Sequence, residues 1–261
     1  MKKIVFFDID GTLWDEQTQI PDSTVTAIAR LKANGHKAIL CSGRARGNIR
    51  NQKLLALDFD GIIAACGNHV ELNGKIVYEK ILTYEEVKKV IEVCGQYHMP
   101  IVLEGPGKHW LDGEGFEGDP YIDFLMEELQ GDAIILDGPT EDIHVNKFSS
   151  LIHENTDIDA IRRELEKEFE FLMHGGGILE CIPKGTSKAT GIEKLCEYLG
   201  VDKEDTFAIG DSVNDLDMLQ FVGHGICMGN GSAIAKEAAE YVTTDIHKDG
   251  VMHALEHYEL I

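Results

Sequence analysis

Paired cysteines are missing from this chain of 261 residues. No two of its six cysteines form a CxxC motif; they are Cys41, Cys66, Cys94, Cys181, Cys196 and Cys227. Structural zinc sites and disulfide-rich scaffolds both use closely spaced cysteines, so the sequence indicates neither of them. We expect reduced and mostly buried thiols.

A long hydrophobic run is also missing near the first residue. Two lysines and a short apolar segment, Ile4–Phe7, precede the first acidic residue. This segment is shorter than the apolar region of a signal peptide and far shorter than a membrane-spanning helix. We therefore expect a cytoplasmic protein with no membrane partner.

Positive charge is scarce. The chain has 24 Lys and Arg against 46 Asp and Glu, which gives a formal net charge of −22. Such a charge repels nucleic acid and anionic membrane surfaces, so we expect no nucleic-acid partner. It would also repel a small phosphorylated substrate unless a local cation reversed the potential, and this favours a divalent metal at any phosphate site.

The order of predicted elements indicates an α/β fold with a parallel sheet. The first section has predicted strands at residues 4–7, 36–41 and 61–65, helices at 23–34 and up to about residue 55, and a hairpin around Asn73-Gly74. Strands that alternate with helices are typical of parallel sheets covered by helices. The length allows one large domain or two unequal ones.

The middle of the chain has a different pattern. There we predict helices at residues 84–97, 121–129 and 157–168, strands near 144–152 and 169–174, and an irregular Gly-rich stretch at 105–118. The alternation of helices and strands resumes after Lys184, with helices at 188–199, 215–221, 233–239 and 251–258 and strands at 206–209 and 225–228. The sequence thus predicts a core of residues 1–82 and 184–261 with an inserted α+β domain at 83–183.

Two carboxylates follow the first predicted strand, in the segment Asp8-Ile9-Asp10-Gly11-Thr12. Ligands of open α/β sheets bind at the carboxyl ends of the strands. Residues two apart on an extended segment point to the same side, so Asp8 and Asp10 could share a cation or divide acid and base roles. An ordinary acidic turn is the alternative.

A second acidic loop, Gly210-Asp211-Ser212-Val213-Asn214-Asp215, follows another apolar strand. Two such loops on one parallel sheet can meet, and carboxylate oxygens are the ligands that Mg²⁺ prefers. Asp215 could instead cap the helix that follows.

Two further segments could bind phosphate. Ser42-Gly43-Arg44 follows a predicted strand and precedes a predicted helix, where a hydroxyl and free N–H groups suit an anion. Lys188 starts a predicted core helix and could neutralise charge on a phosphoryl group, although a surface lysine is the alternative.

In this order, Asp8-x-Asp10-Gly11-Thr12, Ser42-Gly43-Arg44, Lys188 and Gly210-Asp211-x-x-Asn214-Asp215 resemble the four motifs of the haloacid dehalogenase superfamily. More narrowly, the chain resembles the Cof-type sugar-phosphate phosphatases. The resemblance implies a Rossmann-like core and a large inserted cap domain that sets substrate specificity. Candidate cap contacts to the substrate are Glu104, His109, Trp110, Asn146 and Lys147.

The resemblance also implies roles for the motif residues. Asp8 would be the nucleophile that forms an aspartyl-phosphate, and Asp10 the general acid and base. Mg²⁺ would be bound by Asp8, the Asp10 backbone carbonyl and Asp211, with Asp215 supporting this shell. The phosphoryl oxygens would be held by Ser42, Gly43, Lys188 and Asn214.

The chain departs from the family pattern at two positions. Cys66-Gly67-Asn68 stands where these proteins commonly have Asn-Gly, and Ser42 stands where Thr is frequent. The first change bears on substrate contacts, whereas the second keeps the hydroxyl.

Three functions follow from these observations. The leading one is a Mg²⁺-dependent phosphatase of a small phosphorylated metabolite. The others are a phosphomutase of the same fold and a non-catalytic switch protein phosphorylated on Asp8. The sequence allows a monomer or a homodimer.

Overall fold

The computed structural model describes residues 2–139 and 141–261. The chain divides into two compact units. The first unit comprises Met1–Gly43, Arg50–Tyr78 and Ser187–Ile261, and the second comprises Arg44–Ile49 and Glu79–Thr186. Among the residues described, no helix combines the length and the apolar character that crossing a membrane requires.

The elements are numbered in chain order. The strands are β1 Ile4–Phe7, β2 Lys37–Cys41, β3 Gly61–Ala64, β4 His69–Leu72, β5 Lys75–Glu79, β6 Val102–Glu104, β7 His109–Leu111, β8 Ala133–Ile135, β9 Lys147–Leu151, β10 Phe169–Met173, β11 Ile178–Pro183, β12 Thr206–Gly210, β13 His224–Cys227 and β14 Tyr241–Val242. The helices are α1 Asp22–Ala33, α2 Gln52–Leu55, α3 Tyr84–Gln96, α4 Pro120–Leu129, α5 Ile158–Leu165, α6 Lys188–Leu199, α7 Leu216–Phe221, α8 Ala233–Ala238 and α9 Gly250–His257.

The first unit is built on a mainly parallel sheet. In the described part of the chain its strand order is β14-β13-β12-β1-β2-β3-β4-β5. β1 lies between β2 and β12 and is parallel to both. The chain leaves β1 toward β2 and β3 and later returns on the other side through β12. The order of the strands therefore reverses beside β1, and the carboxyl ends of β1, β2 and β12 form the crevice where such sheets bind ligands.

The sheet of the first unit is covered on both faces. All four residues of β1 are buried, as expected for a central parallel strand. Phe6 and Ala208 pack in one cluster with Ile192 of α6 and Met218 of α7. α6 begins at a capping box in which Ser187 and Thr190 satisfy each other's backbone N–H groups. The start of α6, which includes Lys188, is thus fixed by local hydrogen bonds and by burial.

The second unit is a mainly antiparallel sheet with strand order β10-β11-β9-β6-β7-β8 in the part of the chain that the structure describes. One face packs against α3 and α5, where Phe148 and Leu103 meet Val90 and Ile161. On the other face, α4 covers Val102 and Leu111. Alternate residues of each strand point to opposite faces, so Glu104 and Lys147 share the face of Val102 and not that of Leu103.

Some predicted elements differ from the structure. The helix predicted to end near residue 55 is a 3-10 turn, Arg46–Asn48, followed by the single turn α2, because the Asn51 side chain accepts from two N–H groups and starts a new helix. The stretch 105–118 was predicted to be irregular, but it contains β7. The strands β6, β8 and β14 were also missed, since strands of two or three residues are too short to show an alternating pattern.

The strand β11 was missed for another reason. It contains Glu180, a charged residue in the buried part of a sheet, and such residues argue against a strand when only the sequence is known. The thiols behave as expected, because within the described residues all six cysteines are buried and none forms a disulfide.

Candidate active site

Three predicted site residues follow three adjacent strands of the first unit. Asp8 follows β1, Ser42 follows β2 and Asp211 follows β12. The hydrogen bonds of the sheet extend to Asp8 and Ser42. The Asp8 N–H donates to Ile209 O and the Ser42 N–H donates to Ile63 O, both at 2.9 Å. The predicted meeting of the acidic loops at one edge of the sheet therefore occurs.

The two acidic loops form one carboxylate cluster. Oxygens of Asp8, Asp211 and Asp215 all lie within 4.8 Å of one another. Gly11 makes this approach possible: it has φ +80°, and a Cβ built there would lie 2.4 Å from Asp211 Oδ2. Asn230 fixes the same loop by donating from Nδ2 to the Gly11 carbonyl at 2.8 Å. Any larger residue at position 11 would push the two loops apart.

Lys188 is buried inside this cluster and is not a surface lysine. Only 1% of the residue is exposed, and its Nζ lies 2.5 Å from both Asp8 Oδ1 and Asp215 Oδ1. Asp217 was not among the predicted site residues; it accepts the Ala189 N–H at 3.0 Å and holds the first turn of α6. The ammonium group thus links the nucleophile candidate to the second acidic loop.

Asp215 organises its own loop. Its Oδ2 accepts the N–H groups of Asp211 at 2.9 Å and Ser212 at 3.0 Å, while Oδ1 binds Lys188. The carboxylate makes no capping hydrogen bond to α7, so the alternative of a simple cap for that helix is wrong. With both oxygens engaged, Asp215 orients its neighbours, and the carboxylates of Asp8 and Asp211 are better placed to receive a cation.

The electrostatics of the cluster show an excess of negative charge. Burial raises the pKa of Asp8 well above its usual range, and Asp215 and Asp211 raise it further against the opposing effect of Lys188. Burial, followed by Asp215, raises the pKa of Asp211 to about 7. For Lys188, burial lowers the pKa, but Asp215 and Asp8 outweigh it and hold the pKa well above its usual range.

Three buried or half-buried carboxylates beside one ammonium group leave net negative charge out of water. A divalent cation is the partner that would balance it, and an all-oxygen donor set suits Mg²⁺. The residues present therefore fit the predicted metal.

Asp10 lies outside this carboxylate cluster. Its side chain is exposed, and Oδ1 accepts a hydrogen bond from the indole Nε1 of Trp14 at 2.9 Å. Trp14 was not among the predicted site residues. The sequence offered only the spacing of four residues from Asp10, because the burial that makes the indole N–H need an acceptor depends on the fold.

The remaining predicted phosphate ligands, Ser42, Asn214 and Gly43, lie in three different surroundings. Ser42 is buried, and its carbonyl accepts the Cys66 N–H at 3.2 Å, so the loop after β3 lies against it. Cys66 has the left-handed φ of 50° that asparagine adopts more readily. Asn214 Oδ1 accepts from the Ser212 hydroxyl at 2.5 Å, which holds Asn214 within its own loop. Gly43 follows Ser42 at the last position of this segment of the first unit.

The candidate cap residues fall into two groups. Lys147 Nζ lies 3.3 Å from Glu104 Oε2 and 2.5 Å from Glu180 Oε1, and His109 Nε2 lies 3.9 Å from Glu104. We call Glu104, Lys147 and Glu180 the charged ladder. Glu180 was missed, because its pairing with Lys147 joins two strands far apart in sequence.

Trp110 and Asn146 do not belong to the charged ladder. Trp110 pairs with Leu103 and packs in the apolar cluster on the face opposite to that of Glu104 and Lys147. The Asn146 side chain donates to Lys80 O at 2.9 Å and ties the start of β9 to the chain before α3.

Comparison with known proteins gives one consistent result. The family model described as haloacid dehalogenase-like hydrolase matches residues 5–255. The chain is 28% identical over 271 residues to the 5-amino-6-(5-phospho-D-ribitylamino)uracil phosphatase YitU of Bacillus subtilis strain 168, covering 98% of this chain and 97% of the relative. A hypothetical protein of Geobacillus kaustophilus HTA426 has a TM-score of 0.87 at 32% identity, with 100% of both chains covered. The subclass IIB sugar phosphatase BT4131 has a TM-score of 0.79 at 27% identity, also over 100% of both chains.

Proposed function

Because the chain belongs to the haloacid dehalogenase-like hydrolase family, we propose that it is a Mg²⁺-dependent phosphatase acting through an aspartyl-phosphate. YitU and BT4131 are phosphatases, and the chain is a phosphoric monoester hydrolase. The observation that carries the finer proposal is Lys188, whose buried ammonium group joins Asp8 to Asp215 beside Asp211. A purely structural ion pair would not require the carboxylate of Asp211, whose charge Lys188 does not balance.

In the first proposed step, an Asp8 oxygen forms a bond to phosphorus. The bond from phosphorus to the leaving oxygen breaks, and that oxygen keeps the electron pair and takes a proton from Asp10. Lys188 holds Asp8 through Oδ1, which leaves the other oxygen to attack.

In the second proposed step, Asp10 takes a proton from water while the water oxygen bonds to phosphorus. The bond between phosphorus and Asp8 then breaks and releases phosphate. Ser42, Gly43, Lys188 and Asn214 hold the phosphoryl oxygens during both steps. A cation bound by the carboxylates of Asp8 and Asp211 and the carbonyl of Asp10 would supply positive charge at those oxygens.

The second unit is proposed to act as the cap that sets specificity. The YitU name describes a phosphate on a ribityl group, and BT4131 is a sugar phosphatase. Both names refer to phosphates of polyhydroxylated carbon chains. We therefore place the substrate among sugar or sugar-alcohol phosphates, with Glu104, His109 and Lys147 as candidate contacts to hydroxyl groups.

A phosphatase panel tests the proposal. The full chain is assayed on sugar phosphates, sugar-alcohol phosphates, nucleotides and pyridoxal phosphate, with Mg²⁺ and with EDTA. Free phosphate should be released in many turnovers with Mg²⁺ only. Asp8→Asn should lose turnover while keeping its circular dichroism spectrum, and Asp22→Asn, at an exposed position of the first turn of α1, is the matched control.

The other candidate functions give different results in the same assays. An isomerised product that depends on a bisphosphate activator would indicate a phosphomutase. One equivalent of phosphate per chain without turnover would indicate a phosphorylated switch. Retained turnover in Asp8→Asn would overturn the assignment of the nucleophile.

A further inference from the structure

The Trp14 indole donates a hydrogen bond to the Asp10 carboxylate. Its Nε1 lies 2.9 Å from Asp10 Oδ1. Trp14 is 5% exposed, whereas Asp10 is exposed. A buried, rigid donor thus holds one oxygen of an exposed carboxylate.

The backbone around this contact is tightly folded. The Trp14 carbonyl accepts the Gly11 N–H at 3.0 Å, and the Ile9 carbonyl accepts the Leu13 N–H at 2.9 Å. Asp10 and Trp14 also form an isolated parallel bridge. Because these bonds fix both Cα positions and the indole is packed, the ring cannot move away without breaking the loop.

Exposed aspartate side chains exchange between rotamers unless hydrogen bonds hold them. A proton-transferring group must instead stay within hydrogen-bond distance of the reacting oxygen, and small misplacements cost rate. The indole offers a single N–H and no acceptor, so it can hold one carboxylate oxygen without competing for the proton.

We propose that Trp14 is a positioning residue for the general acid and base. Its indole N–H holds Oδ1 of Asp10, which orients Oδ2 to give a proton to the leaving oxygen and later to take one from water. This inference rests on the proposed function, in which Asp10 has that role.

The inference predicts a dependence on the leaving group. A sugar or alkyl oxygen must be protonated as it leaves, whereas p-nitrophenolate leaves readily without a proton. Loss of the indole N–H should therefore slow the hydrolysis of alkyl phosphates selectively. A general loss of structure would slow both classes of substrate.

The experiment compares the full-length wild type with Trp14→Phe, which keeps an aromatic ring but removes the N–H. The rate of the phosphorylation step is measured in single turnovers with Mg²⁺ on p-nitrophenyl phosphate and on the best sugar phosphate of the panel. We expect a loss of about 10- to 100-fold on the sugar phosphate and less than about threefold on p-nitrophenyl phosphate. Tyr198→Phe removes a hydrogen-bonding group from an exposed aromatic residue of α6 and should change neither rate.

A double-mutant cycle shows whether Trp14 acts through Asp10. In an Asp10→Asn background, Trp14→Phe should cause no further loss on the sugar phosphate, because the group that it positions is already gone. Additive losses, equal losses on both substrates, or no loss at all would each overturn the inference. A wild type that hydrolyses neither substrate would instead overturn the proposed function.

Discussion

Each unit contains a buried lysine held between two carboxylates. In the first unit Lys188 lies between Asp8 and Asp215, and in the second Lys147 lies between Glu104 and Glu180. Both lysines are nearly inaccessible, with 1% and 4% exposure. The two sites nevertheless have opposite electrostatic properties.

The pKa values show the difference. Burial raises the pKa of Glu180, but Lys147 and His174 outweigh it and lower the pKa to about 2. Burial and Asp215 raise the pKa of Asp211 to about 7, and Lys188 does not reverse this. Glu180 of the charged ladder is thus stabilised as a charged group by Lys147 and His174, whereas the first unit keeps a carboxylate that needs a further cation.

The cause lies in the topology of the two sheets. Antiparallel neighbours place residues directly opposite each other, as Glu104 is placed opposite Lys147. Parallel strands instead bring several loops to one end, where Asp8, Asp211 and Asp215 gather around a single lysine. Unbalanced charge marks the site of chemistry, and a buried ion pair alone does not.

The largest expected effect follows from removing the cation of the first unit. Lys188→Met should lower kcat by about 10³-fold, because the ammonium group both holds Asp8 and faces the transferring phosphoryl group. Steady-state kinetics measure this loss. Lys194→Met, on the exposed side of the same helix, is the control and should keep kcat. If Lys188→Met retained normal kcat, Lys188 would only form a structural ion pair.

The second prediction concerns the unbalanced carboxylate, Asp211. The pKa of Asp211 in the folded protein is about 7, above the ordinary value of 3.8. Between about pH 4 and pH 7 the folded protein holds this proton and the unfolded chain does not, so the free energy of unfolding falls as the pH rises through this range. Above pH 7 the full cost of the charge is present. Without metal at pH 8, Asp211→Asn should therefore raise the free energy of unfolding by roughly 2 to 4 kcal/mol.

Thermal unfolding in EDTA and in Mg²⁺ measures this effect. Mg²⁺ should raise the Tm of the wild type and leave that of Asp211→Asn unchanged. Asp202→Asn replaces an exposed aspartate in the segment before β12 and should behave as the wild type. A lower stability of Asp211→Asn in EDTA at pH 8 would contradict the excess of negative charge.

The third prediction has the opposite sign and concerns the charged ladder. The folded pKa of Glu180 is about 2 and its ordinary value is 4.5, so its charge stabilises the fold above pH 4.5, and this stability is lost as the pH falls toward 2. Glu180→Gln should lower the free energy of unfolding at pH 7 by about 3 kcal/mol, and the difference from the wild type should shrink below pH 4.5.

Urea unfolding at pH 7 and at pH 3.5 measures the two differences. Glu164→Gln, at an exposed position of α5, is the matched control. A difference that stays constant with pH would show that Glu180 acts through packing and not through its charge.

The contrast between the two sites also explains what the sequence could predict. Asp8 and Asp211 were predictable because each directly follows an apolar strand, and strand ends of parallel sheets converge. The charged ladder was not predictable, because Lys147 and Glu180 are brought together only by the register of two strands, which no local sequence pattern indicates. Trp14 was missed since its role depends on the fold of one short loop.

The smallest expected effect comes from the helix caps that start α6 and α3. Ser187 and Thr83 each form a capping box, so replacing either by alanine should cost about 1 kcal/mol in the free energy of unfolding.

The two variants should differ in catalysis. Ser187 immediately precedes Lys188, and a looser first turn would move the ammonium group relative to Asp8 and lower kcat about two- to fivefold. Thr83→Ala is the matched control, because α3 carries none of the proposed catalytic groups, and its kcat on p-nitrophenyl phosphate should equal that of the wild type. Equal kcat values in both variants would show that burial alone, without the cap, fixes Lys188 between its two carboxylates.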